Sequence, residues 1–142
     1  MVGAPDDPGN GYPLPAIDGW SVAEAESNPV REKSFDFAIE IIKLGRSLVE
    51  SKEFVISRQL MRSGTAVGAL VEEAIGAESR RDFLHKMSMA HKEARETHYW
   101  LRLLDGSDLL PGVEMTGHMA NIDELVRLLT AITRSVKESL TQ

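Results

Sequence analysis

Apolar residues return every three or four positions along four separate stretches of the chain, with polar residues between them. This spacing follows the 3.6-residue turn of an α-helix and not the alternation of a strand. The first stretch predicts a helix over residues 34–51. Phe37, Ile41, Leu44 and Leu48 share one face, widened by Ala38, Ile42 and Gly45. Ser34 can cap it, with Asp36 in the first turn near the positive end of the helix dipole. After a break at 51–53, a second helix is expected over 54–77. One apolar row holds Ile56, Leu60, Val67, Leu70 and Ala74, and Met61, Gly64, Gly68, Val71 and Ile75 lie beside it.

A third helix is expected over 79–104, opened by Ser79 with Asp82 three residues on, as in a capping box. Its core row is Phe83, Met87, Ala90, Ala94, Leu101 and Leu104, with Thr97 bridging the repeat. Asp105-Gly106-Ser107 reads as its stop, and Pro111-Gly112 as a further break. The fourth helix is expected over 121–140. Asn121 would cap it with Glu124 in the capping-box position, and the stripe is Ile122, Leu125, Leu129, Ile132, Val136 and Leu140, flanked by Val126 and Thr133. The longest internal connection, 106–120, has room for a short turn around 113–119. Four amphipathic helices with short links and no strand pattern predict an all-α, antiparallel up-and-down four-helix bundle.

Gly64 and Gly68 stand one turn apart inside the second helix. Each costs about 1 kcal/mol of helix propensity against Ala. Close approach of a neighbouring backbone would offset that cost, and the small Ala90 and Ala94 make the third helix the expected neighbour. Residues 1–31 hold all but one of the prolines and predict an irregular arm ahead of a bundle domain at 32–142. Through Tyr12, Leu14, Ile17 and Trp20 this arm could instead lie across the bundle.

Charge is unevenly spread. Of the formal net −6, the arm supplies Asp6, Asp7, Asp18, Glu24 and Glu26 with no Lys or Arg, leaving the body nearly neutral. Overall acidity therefore says little against nucleic-acid contact by a local patch. The absence of cysteine removes disulfides, thiolate metal sites and cysteine nucleophiles, and fits a reducing, cytoplasmic setting. No apolar run is long enough to span a membrane, and the start of the chain does not read as a signal peptide.

The stretch 58–104 carries RQxxRSGxxVGA, AESxxDFxHK and KEAxETxYWLxLL. It resembles the bacterial four-helix-bundle family encoded in intervening sequences of 23S ribosomal RNA, often labelled S23 ribosomal protein. A similar fold occurs in the accessory protein of diversity-generating retroelements. The matching residues are Arg58, Gln59, Arg62, Ser63, Gly64, Gly68 and Glu73, then Glu78, Ser79, Asp82, Phe83, Lys86, Lys92, Glu93, Glu96, Thr97, Tyr99 and Trp100. The resemblance implies a homo-oligomer, typically a ring-shaped pentamer, and RNA or DNA contact through basic surface residues. It implies no established catalysis. Leu70 stands where the family commonly has Asn, and Glu72 where close relatives often have Arg. Both departures count against a direct transfer of nucleic-acid binding.

Candidate chemistry follows from the same helices. A ferritin-like metal site needs carboxylates on all four helices and two Glu-x-x-His repeats. Only Asp82 and His85 show a related spacing, Glu93 and Glu96 lack a matching pair, and His91 and His98 stand two turns apart. No nucleophile elbow or phosphate loop is present. The expectation is a non-enzymatic protein with no cofactor or metal. Arg58, Arg62, Arg80, Arg81, Lys86, Lys92 and Arg95 are candidate nucleic-acid contacts, with Arg102 on the same helix, although acidic residues interleave with them. Glu73, Glu93, Glu96 and Thr97 form a candidate polar cluster, in which Glu73 would take Arg62, Arg95 or Thr97 as donor. Tyr99 and Trp100 are candidate interface aromatics. The leading expectation is an oligomeric interaction or scaffold protein, with a nucleic-acid-binding accessory protein as the alternative.

Overall fold

The computed structural model describes residues 29–141. The arm residues Tyr12, Leu14, Ile17 and Trp20 lie outside the described residues. Four helices follow one another: α1 (Pro29–Glu50), α2 (Phe54–Ile75), α3 (Arg80–Ser107) and α4 (Thr116–Leu140), with no strand among the described residues. Each helix packs on the next in sequence, and α4 returns to α1 along the thinnest of the four seams. Cross-links between helices run in opposite order along each pair. Lys33 meets Glu124 where Glu40 meets His118, and His91 meets Thr130 where His98 meets Asp123. The bundle is therefore antiparallel and up-and-down.

The apolar stripes close on one core. Phe37, Ile41 and Leu48 of α1, Leu60, Val67 and Val71 of α2, Phe83, Met87 and Leu101 of α3, and Ile122, Leu125 and Leu129 of α4 are all buried. Burying a side chain of this size contributes about 1.5–3 kcal/mol, so this shared interior is what holds the helices together.

Three helix boundaries differ from the sequence reading by three residues or more. α1 begins at Pro29, so residues 29–31 belong to the bundle and not to the arm. Proline suits a first helical turn, where its missing N–H would be unpaired anyway. Ser34 is therefore not a cap. It is buried inside the helix, and its hydroxyl donates to the Arg31 carbonyl at 3.1 Å. The expected stop at Asp105-Gly106 does not stop α3, which runs on to Ser107 before Asp108 takes a left-handed conformation with φ 56°. α4 begins at Thr116, not Asn121. The Thr116 N–H donates to the Glu114 carboxylate at 3.0 Å, while Asn121 sits inside the helix and donates to Glu40 at 2.9 Å. The Ser79 cap is present as expected, accepting from the Asp82 N–H at 3.0 Å.

The thin face of α2 turns toward α1, correcting the expectation that it meets Ala90 and Ala94. A Cβ placed on Gly64 would lie 2.7 Å from Ile41 Cγ2, and one on Gly68 would lie 3.1 Å from the Ser34 carbonyl oxygen. Gly45 of α1 abuts Met61 and Ser57 of α2, and the buried Ser57 hydroxyl donates to the Gly45 carbonyl at 2.8 Å. Small residues thus line the seam on both partners, and at Gly68 the α1 backbone itself is the nearest neighbour. Ala90 and Ala94 are fully buried core residues.

Candidate functional site

The polar residues of α2 and α3 meet along one seam. Arg62 lies between two carboxylates, donating to Glu93 at 3.2 Å and to Glu96. Glu96 also accepts from the Trp100 indole N–H at 3.0 Å. The indole bond and Arg62 hold the Glu96 carboxyl below its ordinary range, and Glu96 raises the Arg62 guanidinium in return. Beneath them the buried Thr97 hydroxyl donates to Ser63 Oγ at 2.8 Å, and Ser63 in turn donates to the Gln59 carbonyl at 3.1 Å. Each buried hydroxyl is thereby satisfied within the seam.

A depressed carboxylate stabilises the fold above its unfolded pKa, and that contribution is lost as pH falls through the lower folded value. Glu96→Gln is therefore expected to cost less than about 1 kcal/mol at neutral pH, because the pair is partly exposed and screened. The difference from the parent chain should fade once the Glu96 carboxyl is protonated in the folded as well as the unfolded state. Thermal melts across an acid pH series check this. A gap that persists at the acid end would mean the side chain acts through packing and not charge.

Glu73 does not join this cluster. It is exposed and takes Lys86 at 3.0 Å as its partner. The reason is position: at the C-terminal end of α2, Glu72 turns to α1 and pairs with Arg31 at 2.7 Å, while Glu73 turns to α3. The expected clasp is thus split. Glu93 and Glu96 share Arg62, Thr97 bonds beneath them, and Glu73 acts separately.

The candidate basic residues divide in the same way. Arg62 and Lys86 are matched by carboxylates. Arg80 is half-buried and donates to Ser139 Oγ of α4 at 2.8 Å, with its Nε buried and unbonded. Arg58 and Arg81 are exposed at separate places on the bundle. Lys92 and Arg95 are different, because they line a groove of about 650 Å³ between α3 and α4 together with Arg102 and Arg127. Among the described residues none of these four makes an ion pair. The one carboxylate opposite them, Asp123, is held by His98 at 3.0 Å, and Glu96 at the rim is engaged by Arg62.

Further along the same seam, His91 Nε2 lies 3.0 Å from Thr130 Oγ1. Burial, and then the nearby charges of Arg95 and Lys137, hold the His91 imidazole below its ordinary value. Burial disfavours the charged ring first, and the two cations add to that in the same direction. Tyr99, exposed, shares the outer side of α3 with Lys92, Arg95 and Arg102 at helical spacing. Its ring meets that of the half-buried Trp100 edge to face at 5.1 Å.

A second surface was not anticipated. α1 carries an outer apolar stripe of Phe35, Ile39, Ile42 and Val49, all exposed, with Phe54 and Val55 in the first turn of α2. Phe35 is 65% and Val55 71% exposed. Ile42 was read as part of the core stripe, but the 100° step per residue carries it past the core edge. The stripe was visible in principle, since positions 35, 39, 42 and 49 repeat at four, three and seven. Arg127 of the groove was missed because its position opposite Arg95 depends on the α3–α4 register.

Among the described residues no group of three or more His, Asp or Glu side chains is gathered to hold a metal, and no helix is long and apolar enough to cross a membrane. The candidate pairs Asp82 and His85, and His91 and His98, do not form such a group. Glu40 of α1 takes both His118 and Asn121 of α4, closing the thin seam with side-chain bonds.

No curated protein matches the chain. A solved structure of a protein of unknown function from the S23 ribosomal protein family of Bacteroides thetaiotaomicron is 43% identical to it. That match covers 73% of this chain and 97% of the other, with a TM-score of 0.70. The family described as 23S rRNA-intervening sequence protein matches residues 26–131, which takes in the three sequence motifs and most of all four helices. The chain belongs to the 23S rRNA-intervening sequence protein family.

Proposed function

We propose that this protein is a self-assembling helical scaffold, built from copies of the bundle joined through the outer face of α1. The observation that carries this reading is the exposed stripe Phe35, Ile39, Ile42 and Val49. Single exposed apolar side chains are ordinary on a protein surface, whereas a contiguous row along one helix marks an interaction site. The row lies on the side of α1 turned away from its own core, and nothing else among the described residues covers it. The family resemblance suggests a closed ring of five as the form of the assembly. A ring needs two different surfaces to meet on each subunit, and α3 exposes Met89, Tyr99 and Leu103 for the second. Mass measurement in solution tests the reading. A multiple of the 15.7 kDa chain is expected, and a monomeric mass throughout the micromolar range would overturn it.

A second reading, contact with nucleic acid, is favoured by the α3–α4 groove. Four cations without carboxylate partners, with an exposed tyrosine on the same side, suit a phosphate backbone and a stacked base. The contacts would be Lys92, Arg95, Arg102 and Arg127. With four phosphate contacts on a single strand, affinity should fall about 50-fold between 50 and 200 mM salt. In a gel-shift assay with single-stranded RNA, reversing these four charges to Glu should abolish the shift, while Arg62→Ala and Lys86→Ala should leave it. Equal loss from all variants would point to diffuse attraction and against the groove.

A further inference from the structure

Four of the sixteen Lys and Arg side chains of the described bundle are matched by a carboxylate. Arg31 and Lys33 on α1, Arg62 on α2 and Lys86 on α3 each face a carboxylate within salt-bridge distance. The groove between α3 and α4 gathers four cations that do not. The same chain contains one segment with the opposite imbalance. Residues 1–28 carry Asp6, Asp7, Asp18, Glu24 and Glu26 and no Lys or Arg, together with Tyr12 and Trp20. We propose that this acidic N-terminal segment is the occupant of the α3–α4 groove, where its carboxylates pair with Lys92, Arg95, Arg102 and Arg127 and hold the groove against other polyanions.

Three observations carry this. The first is charge: an acidic segment gains most where several unmatched cations line one groove, and proximity through the chain makes the encounter intramolecular. The second is reach. In the antiparallel bundle the start of α1 lies at the same end as the start of α3. The groove residues stand 12 to 22 positions beyond Arg80, about 18–33 Å along the axis. Asp18 precedes Pro29 by eleven residues, which extended cover about 36 Å, and Asp6 and Asp7 reach about twice as far. The third is where the family match begins. It starts at residue 26, and the solved relative is covered over 97% of its length by 73% of this chain. The acidic segment is therefore an addition to the shared bundle. The inference rests on the groove being an anion site, as in the second reading above.

The competing destination is the outer face of α1, which Tyr12, Leu14, Ile17 and Trp20 could cover through apolar contact. Zero-length carbodiimide coupling of the full chain separates the two, because it joins carboxylates to lysines in direct contact. Peptide mapping is expected to find Asp6, Asp7 or Asp18 joined to Lys92. The full-length variant R95E/R102E/R127E, which keeps Lys92, is expected to lose that link. Links confined to Lys33 and Lys43 on α1, or a Lys92 link untouched by the charge reversals, would overturn the proposal.

A second arm uses the full-length variant D6N/D7N/D18N/E24Q/E26Q. At low salt it should bind single-stranded RNA about tenfold more tightly than the parent, the gain from removing a tethered competitor. Equal affinity of parent and variant would also overturn the proposal. Failure of both chains to bind RNA, with the Lys92 link intact, would sink the nucleic-acid reading and leave the groove as the segment's own seat.

Discussion

Gly64→Val is expected to destabilise the bundle by about 3 kcal/mol, lowering the melting temperature by roughly 10 °C. The cause is steric. Even the first added carbon would lie 2.7 Å from Ile41 Cγ2 and 3.0 Å from Cγ1. Ile41 is fully buried and branched at Cβ, so it has no free rotamer to move into. Relief must come from separating α1 and α2, which strains the small-residue seam at Ser34–Gly68 and Gly45–Ser57 as well. Two controls isolate the effect. Gly45→Ala meets Cγ and Sδ of Met61, an unbranched side chain that can change rotamer, so it should cost less than Gly64→Val. Gly106→Ala meets nothing within 4 Å and should gain about 0.5 kcal/mol from helix propensity, less than mid-helix because it lies near the end of α3. Calorimetry or thermal circular dichroism decides between them. A Gly64→Val chain as stable as the parent would mean that the α1–α2 approach is not what these glycines serve.

The four helices were legible because burial imposes its period on the sequence, and each core stripe expected from spacing is largely the one that is buried. Helix ends were less legible, because a cap residue is also a small polar residue useful elsewhere. Ser34 has the chemistry of a cap but lies inside α1, where its main chain passes close to Gly68. Asn121 has the same chemistry and is taken instead by Glu40 across the α1–α4 seam. The glycine pair announced a close neighbour without saying which one, since α2 packs on both α1 and α3.

The charged residues were the hardest to place, and for one reason. A sequence shows which charges share a helix face, but not which helix that face meets or in what register. Adjacent Glu72 and Glu73 therefore serve opposite neighbours. Arg62 and Arg95, alike in sequence terms, end as a neutralised seam residue and an unmatched groove residue. Glu72 pairs with Arg31 across the exposed edge of the α1–α2 seam. Leu70 is buried at the edge of the core, so an apolar side chain is at home there.

Phe35→Glu combined with Ile39→Glu is expected to turn the assembly into a 15.7 kDa monomer that keeps its helices. Both side chains are exposed in the single bundle, so the fold itself loses little, within about 0.5 kcal/mol per site. At an interface the same two side chains would be buried. Removing their partial apolar burial costs on the order of 3 kcal/mol, a factor of more than a hundred in each subunit contact. Two carboxylates placed beside Glu32 and Asp36 add like-charge repulsion and a desolvation cost on any copy that still docks. In a closed ring every subunit uses the altered face, so the loss repeats at each contact and the assembly should fail as a unit. Arg95→Glu, on the α3–α4 side, is the matched control and should leave the mass unchanged. Light scattering coupled to size exclusion reads the mass, and circular dichroism confirms that the monomer stays helical. If the double variant keeps the parent mass, copies meet through some other face; if the parent itself is monomeric, the outer stripe of α1 does not serve self-assembly.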